Sequence, residues 1–413
     1  MTKDIFERIE GIRNDKTLCC TKPWTTLEEV TVYGEYKVCC WLRNLIGQIP
    51  KDSRKDFMEL WDSPRIINAR RTMSDSKSNL GNLCDRTFCE ILYQRDFLFR
   101  RYEFWDYTPE EYRSFGEAFR KNRKLTVSAI EQRKLHPGNH PTHLKLTPSH
   151  TCNLHCRMCM QDSTYKAPSG DAYLKNVFSL MPYLEDLLVV GGEPFACGVT
   201  KRILFGEEIM GYPQIHCSVI TNGTLLDDRM QDKLRHLRLG FFHFSLDSCH
   251  AKTYHEIHEG AVFSITIANL KKFIARAKAG EIRVKHIFAS FVIQRANFEE
   301  IPEFIEFTHA LGIQPIFSII VGSSELQDFI PKVKQRVEEG IKKADESGST
   351  LVQNLLRCVL AALPRYEAVF RQQALLDRLP INMNNTMMRK FFSRHRRIYN
   401  AIKYALDSWR PLF

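Results

Sequence analysis

The sequence predicts an α/β protein built on an open or partial six-stranded barrel, with a small cysteine-rich module before it and a helical tail after it. Three observations carry this expectation. From His143 to about Val321, short apolar runs alternate with helical patterns, the signature of repeated strand–helix units and a parallel sheet. The first 95 residues hold six cysteines among aromatics and turn residues, in an irregular pattern that suits a metal-stapled unit better than a large core. Beyond Glu325 the periodicity is mostly helical.

In chain order, residues 1–95 form the cysteine-rich module, and residues 96–140 a polar helical linker ending at His136-Pro137-Gly138-Asn139-His140-Pro141. Two prolines and a glycine in that stretch mark a boundary. Residues 141–325 form the barrel, with strands expected at Leu144–Thr147, Leu187–Val190, His216–Ile220, Phe241–Leu246, His286–Val292 and Ile316–Val321. In such architectures ligands gather at the carboxyl edges of the strands, and the motifs below fall at those edges. Residues 326–413 form the extension, with helices over Gln327–Glu346, Leu351–Arg378 and Met387–Ser408 and a break or kink at Pro364. Its single cysteine, Cys358, cannot hold a cysteine-bound cluster by itself.

Composition narrows the class. A chain of 413 residues exceeds the usual single core, and 44% apolar residues with 27 Phe argue against a disordered chain. The N-terminus lacks the basic start and apolar stretch of a secretory signal, and no apolar run approaches bilayer-spanning length. A cytoplasmic location is therefore expected, where thiols stay reduced and the 13 cysteines read as metal ligands or buried residues rather than disulfides. The net charge of +11 is scattered along the chain and is read first as solvated surface. One cluster stands out, Arg389-Lys390-Phe391-Phe392-Ser393-Arg394-His395-Arg396-Arg397. It is expected to pack its aromatics on the barrel and leave its charges in water, with only weak, salt-sensitive binding of nucleic acid.

The chemistry begins after the first barrel strand, at Thr151-Cys152-Asn153-Leu154-His155-Cys156-Arg157-Met158-Cys159. Three thiolates this close in one loop converge on one cluster, and three leave one iron of a [4Fe–4S] cube without a protein ligand. An open iron binds something else. Structural zinc takes four ligands, and His155, between two of the cysteines, is the only nearby substitute.

This Cx3Cx2C loop resembles that of the radical SAM superfamily, and the order of the later motifs extends the resemblance over six strand–helix units. The resemblance implies a partial, TIM-like (β/α)6 barrel. Gly191-Gly192-Glu193-Pro194, at the end of the second strand, is similar to the GGEP motif that grips the amino group of S-adenosylmethionine (SAM). Thr221-Asn222 and Ser245-Leu246-Asp247 end the third and fourth strands and resemble the family's SAM-binding strand ends, with strict alternation placing Ser245 and Asp247 on one side. Val292, on the fifth strand, and Met158 match apolar positions beside adenine, while Asn297 reads as the N-cap of the next helix. As the resemblance implies, Cys152, Cys156 and Cys159 hold the cluster. The reduced cluster passes an electron to SAM, and the 5′-deoxyadenosyl radical then takes hydrogen from a substrate.

The N-terminal region resembles a SPASM or twitch module. Its marks are Cys20, Gly34 and Cys39 in CxnGx4C spacing, then Ile46-Gly47, Trp61-Asp62-Ser63 and the pair Cys84 and Cys89. This implies a second, auxiliary [4Fe–4S] cluster on Cys20, Cys39, Cys84 and Cys89, with Cys19 and Cys40 as possible substitutes. Zinc competes here, because four cysteines also suit a closed tetrahedral site. Most relatives carry this module after the barrel, and here it comes first. The remaining cysteines, Cys197, Cys217, Cys249 and Cys358, read as ordinary buried residues.

The resulting expectation is an enzyme that abstracts hydrogen from a peptide, protein or small metabolite, fed by a reductant such as flavodoxin or ferredoxin. Modification of RNA or another anionic substrate is the alternative within the same chemistry. A non-catalytic, metal-stapled binding protein is the alternative outside it, and the intact SAM motifs count against that reading.

Overall fold

The computed structural model describes residues 4–15, 20–39, 42, 44–53, 55–74, 104–159, 161, 170–320 and 323–377. Its centre is a nine-stranded sheet: β1 (Thr26–Thr31), β2 (Glu35–Lys37), β3 (Gly47–Gln48), β4 (His143–Leu146), β5 (Asp186–Val189), β6 (His216–Thr221), β7 (Arg238–Ser245), β8 (Arg283–Ile293) and β9 (Gln314–Ile319). The spatial order is β3-β2-β1-β4-β5-β6-β7-β8-β9. All neighbours from β4 to β9 pair in parallel, so the six expected strands are those of the partial barrel, shifted by a few residues at their ends.

Helices cover one face because the strands alternate. On β7, Phe242 and Phe244 are fully buried, and Phe242 stacks on Phe273 of the helix Phe263–Lys278 with ring centroids 4.4 Å apart. Phe241, His243 and Ser245 lie on the opposite face and are only partly covered. On β8, Phe291 meets Phe304 of the helix Ile301–Leu311 at 4.7 Å. This alternation aims one set of side chains at the helices and the other at the inner face of the sheet.

The N-terminal segment departs from the expected separate module. β1 pairs in parallel with β4, placing Thr26 opposite His143 and Glu28 opposite Lys145, so the barrel sheet continues into residues 26–48. One hydrophobic core runs through Trp24, Leu27, Trp61, Leu144 and Leu187. The end of the linker is also fastened. The indole of Trp61 donates to the Asn139 carbonyl at 2.7 Å, that of Trp24 to the Lys134 carbonyl at 2.7 Å, and Asn139 is 1% exposed. The boundaries drawn at 95 and 140 thus do not separate independent cores, because burying the edge of β4 required a strand from the N-terminal side.

The tail forms two long helices, Ile330–Glu346 and Thr350–Asp377. The second continues through Pro364, so the helix does not break there. Pro364 is exposed, a position where water can satisfy a carbonyl that loses its helical donor. The basic cluster 389–397 and the helix expected at Met387–Ser408 lie outside the described residues.

Candidate active site

The loop carrying Cys152, Cys156 and Cys159 follows β4, and the end of β5 is moulded against its base. The Gly192 amide donates to the Ser149 carbonyl at 2.9 Å and the Glu193 amide to the Thr151 carbonyl at 2.8 Å. Gly191 has φ +132°, and a Cβ on Gly192 would collide with the carbonyl oxygens of His150 and Thr151. Only glycine fits such an approach. The close contact these glycines permit is therefore with the chain's own cysteine loop.

Glu193 is 1% exposed and is held on three sides. Its Oε1 accepts from the Thr221 hydroxyl at 2.8 Å and the Phe195 amide at 3.0 Å, and its Oε2 from the Asn222 amide at 2.8 Å. Burial raises its pKa, and these donors oppose the rise. The carboxylate thus ties the end of β6 to that of β5, with about one of its four acceptor sites left for a ligand. Asn222 in turn donates to Asn153 Oδ1 at 3.1 Å, inside the cysteine loop, and lies 3.9 Å from Cys152 Sγ. Pro194 follows in the same turn.

Asp247 leaves the strand alternation, because its backbone is left-handed at φ 58°. Its side chain is therefore not paired with Ser245 on the inner face. Oδ1 accepts from the Val292 amide at 2.6 Å, while Oδ2, which has no hydrogen-bond donor, lies 3.1 Å from His258 Nε2. Asn297 makes no N-cap bond. Its amide group bridges the Asp247 carbonyl at 2.7 Å and the Val292 carbonyl at 3.0 Å, locking the ends of β7 and β8 together.

His258, which the sequence reading missed, links this corner to the cysteines. It is 1% exposed, its Nδ1 lies 3.1 Å from Cys156 Sγ, and its Nε2 lies 3.2 Å from the Leu246 carbonyl. The Tyr254 ring packs against it at 4.7 Å. Amide bonds from His155 to the Glu259 carbonyl and from Arg157 to the Ile257 carbonyl, 3.0 and 2.8 Å, hold the loop along the same segment.

The N-terminal segment supplies a second clamp, also missed. Glu29 and Lys51 form a buried ion pair at 3.4 Å. Glu29 Oε2 accepts from the Thr147 amide and the Tyr173 hydroxyl, both at 2.8 Å. Lys51 Nζ donates to the carbonyls of Thr147 and Pro148 at 2.6 and 2.7 Å, just before the cysteine loop. Burial raises the Glu29 pKa and lowers that of Lys51, and their mutual attraction opposes both shifts.

The donor set fits an iron–sulfur cluster. Burial, then the neighbouring Cys159 and Cys152 thiols and Asp247, push the Cys156 thiol up to about 12, so the half-buried Cys156 sulfur is one that a cationic centre would stabilise as the thiolate. Met158 and Val292 are half-buried at the same strand ends, as are Ser245 and Cys152, and Cys159 is exposed. Cys20 and Cys39 are half-buried against the core. Cys84, Cys89, Cys19 and Cys40 lie outside the described residues.

Residues 146–308 match the family model of the radical SAM superfamily, so the Cx3Cx2C loop, the Gly-Gly-Glu turn and the strand ends above lie within one recognised domain. That matched stretch, less than half of the chain, is similar to the radical SAM superfamily. Among its relatives is a protein of Saccharolobus islandicus named Probable GTP 3',8-cyclase, 28% identical over 184 residues, 43% of this chain and 56% of that protein. A protein of the same name from Saccharolobus solfataricus is 29% identical over 184 residues. The chain thus spans about half the length of the curated relatives it matches. Similar solved structures include Streptococcus suis SuiB bound to its precursor peptide SuiA, with 18% identity, TM-score 0.39 and coverage of 59% of this chain and 55% of that one. Another is anSMEcpe with bound AdoMet, with 16% identity, TM-score 0.41 and coverage of 51% and 62%. Among the described residues no helix is long and apolar enough to cross a membrane.

Proposed function

We propose that this chain binds a [4Fe–4S] cluster on Cys152, Cys156 and Cys159, cleaves SAM reductively, and abstracts hydrogen from a peptide, protein or small metabolite. The observation that carries the reading is the fastening of the cysteine loop to the Gly191-Gly192-Glu193 turn by paired backbone hydrogen bonds. When bound, cluster and SAM supply the electron transfer and the hydrogen abstraction. The protein's part is to hold and exclude. The loop presents three thiolates and leaves one coordination position open, while the half-buried backbone of Gly191 and Gly192 and the remaining acceptor site of Glu193 receive a cationic amino group. Asn222 and Ser245 offer polar atoms for the rest of SAM, while Asp247, buried between the Val292 amide and His258, holds the strand ends behind them. Met158 and Val292 offer apolar surface for its adenine. A flavodoxin- or ferredoxin-type reductant is the expected electron donor, and Cys20, Cys39, Cys84 and Cys89 are proposed to hold an auxiliary cluster.

The anaerobically reconstituted, reduced protein should form 5′-deoxyadenosine and methionine from SAM, and Cys156→Ala should abolish this. Unchanged 5′-deoxyadenosine formation by Cys156→Ala would sink the mechanism. An anionic substrate is the second reading, supported by the relatives named Probable GTP 3',8-cyclase and by the net charge of +11. Stimulation of SAM cleavage by GTP or RNA, but not by peptides, would favour it.

A further inference from the structure

Two residues beyond Asp247 the chain turns through Ser248-Cys249-His250 into the helix Ala251–Ile257. The helix Ile301–Leu311 begins beside that turn and carries Glu303 in its first turn. Cys249 Sγ, His250 Nε2 and a Glu303 carboxylate oxygen all lie within 4.8 Å of one another. His250 Nε2 is 2.8 Å from Glu303 Oε2. Glu300, fixed by the Ser248 hydroxyl at 2.7 Å and the Cys249 amide at 3.2 Å, brings its own Oε2 to 3.7 Å from the sulfur.

None of these three ligand atoms comes from the cysteine loop. Cys249 is half-buried, and His250 and Glu303 are exposed, so an ion reaches the group from solvent without opening the core. Burial, then Glu300 and Glu303, push the Cys249 thiol up to about 12. A thiol beside two carboxylates is electrostatically unfavourable as a thiolate unless a cation joins them.

We propose that Cys249, His250 and Glu303 form a mononuclear zinc site. A thiolate, an imidazole and a carboxylate on converging elements match the ligand types and the four-coordinate geometry of zinc, with the fourth position open to water or to an anionic group. Calcium or magnesium would call for an all-oxygen set, which the sulfur and the imidazole deny. Binding takes the thiol proton to solvent and leaves zinc in the +2 state, so no redox partner is required. The ion joins the crossover helices that follow β7 and β8, beside the Asn297 bridge, and braces the corner from which Asp247 reaches His258.

The test uses the full chain with its iron–sulfur content restored anaerobically, equilibrated with zinc and then dialysed, and compares wild type with Cys249→Ser and Glu303→Gln. Glu303 is exposed, so its substitution leaves folding intact. Wild type should retain about one zinc more than either variant, in line with a single site of this ligand type. X-ray absorption at the zinc edge should show one sulfur among nitrogen and oxygen neighbours. Equal zinc in all three proteins, or a zinc shell made of sulfur alone, would place the metal elsewhere and overturn the proposal. Both readouts are independent of SAM cleavage, so they stand or fall apart from the proposed reaction.

Discussion

His258 Nδ1 lies 3.1 Å from Cys156 Sγ, and on its other side Nε2 faces the Leu246 carbonyl and the Asp247 carboxylate. Since both groups facing Nε2 are acceptors, the ring is arranged to carry hydrogen on that nitrogen and, when protonated, to donate from Nδ1 to the sulfur. A donor to a cluster thiolate stabilises the reduced, more negative state. His258→Leu should therefore lower the midpoint potential of the core cluster. The expected shift is about 40 mV, the equivalent of about 1 kcal/mol for one hydrogen bond. A redox titration followed by electron paramagnetic resonance reads it. An unchanged potential at normal iron content would show that Nδ1 does not donate.

The Glu29–Lys51 pair gives a stability prediction. Glu29→Leu leaves Lys51 charged and buried and removes the acceptor for the Thr147 amide. Breaking a buried pair by losing one partner costs about 3–5 kcal/mol, so the urea midpoint should fall sharply. Glu29→Leu/Lys51→Leu should recover part of that loss. A surface-like change below about 0.5 kcal/mol for the single variant would show that the pair is hydrated.

Iron counting tests the N-terminal cysteines. Wild type should bind about eight irons, and Cys84→Ala/Cys89→Ala about four, as two cubane clusters require. If wild type holds only about four irons and the double variant instead loses a zinc ion, the auxiliary site is a zinc site.

His243 sets a pH dependence. Burial drives its pKa down to about 4 from an ordinary 6.5, so between those values the unfolded chain takes a proton that the folded protein refuses. The folded pKa is depressed below the unfolded one. Stability is therefore fully present above pH 6.5 and is lost as pH falls towards 4. His243→Gln should flatten the dependence of thermal midpoint on pH between about 6.5 and 5, a window set by the ordinary histidine range. Parallel curves for the two proteins would refute this role.

Much of this was legible in the sequence. The Cx3Cx2C spacing and the Gly-Gly-Glu-Pro turn are local, and six strand–helix units announce themselves by period. What stayed hidden depends on contacts between distant segments. Nothing in the run Thr26–Thr31 says that it pairs with His143–Leu146, and two adjacent glutamates there argue against a buried strand until Lys51 is seen to neutralise Glu29. His258 stands about a hundred residues after the cysteine that it touches, and no local pattern joins the two. Asn297 looked like a cap because its neighbours are acidic, yet its amide group closes a gap between two strand ends. Asp247 was misplaced by assuming that alternation persists past the last strand residue, and one positive φ undid that.

The pairing of β1 with β4 also sets a schedule during synthesis. Thr26 leaves the ribosome well before His143, its opposite number in the sheet. At about 5–20 residues per second, the first strand waits roughly 6 to 23 s for its partner. During that interval the apolar faces of Trp24 and Leu27 and the charge of Glu29 have nothing from the barrel to meet. The nascent N-terminal third thus keeps that apolar surface uncovered until residues 143–147 emerge. Slowing translation across the linker should lengthen its exposure and lower the yield of folded chain, even though every residue of the finished protein is unchanged.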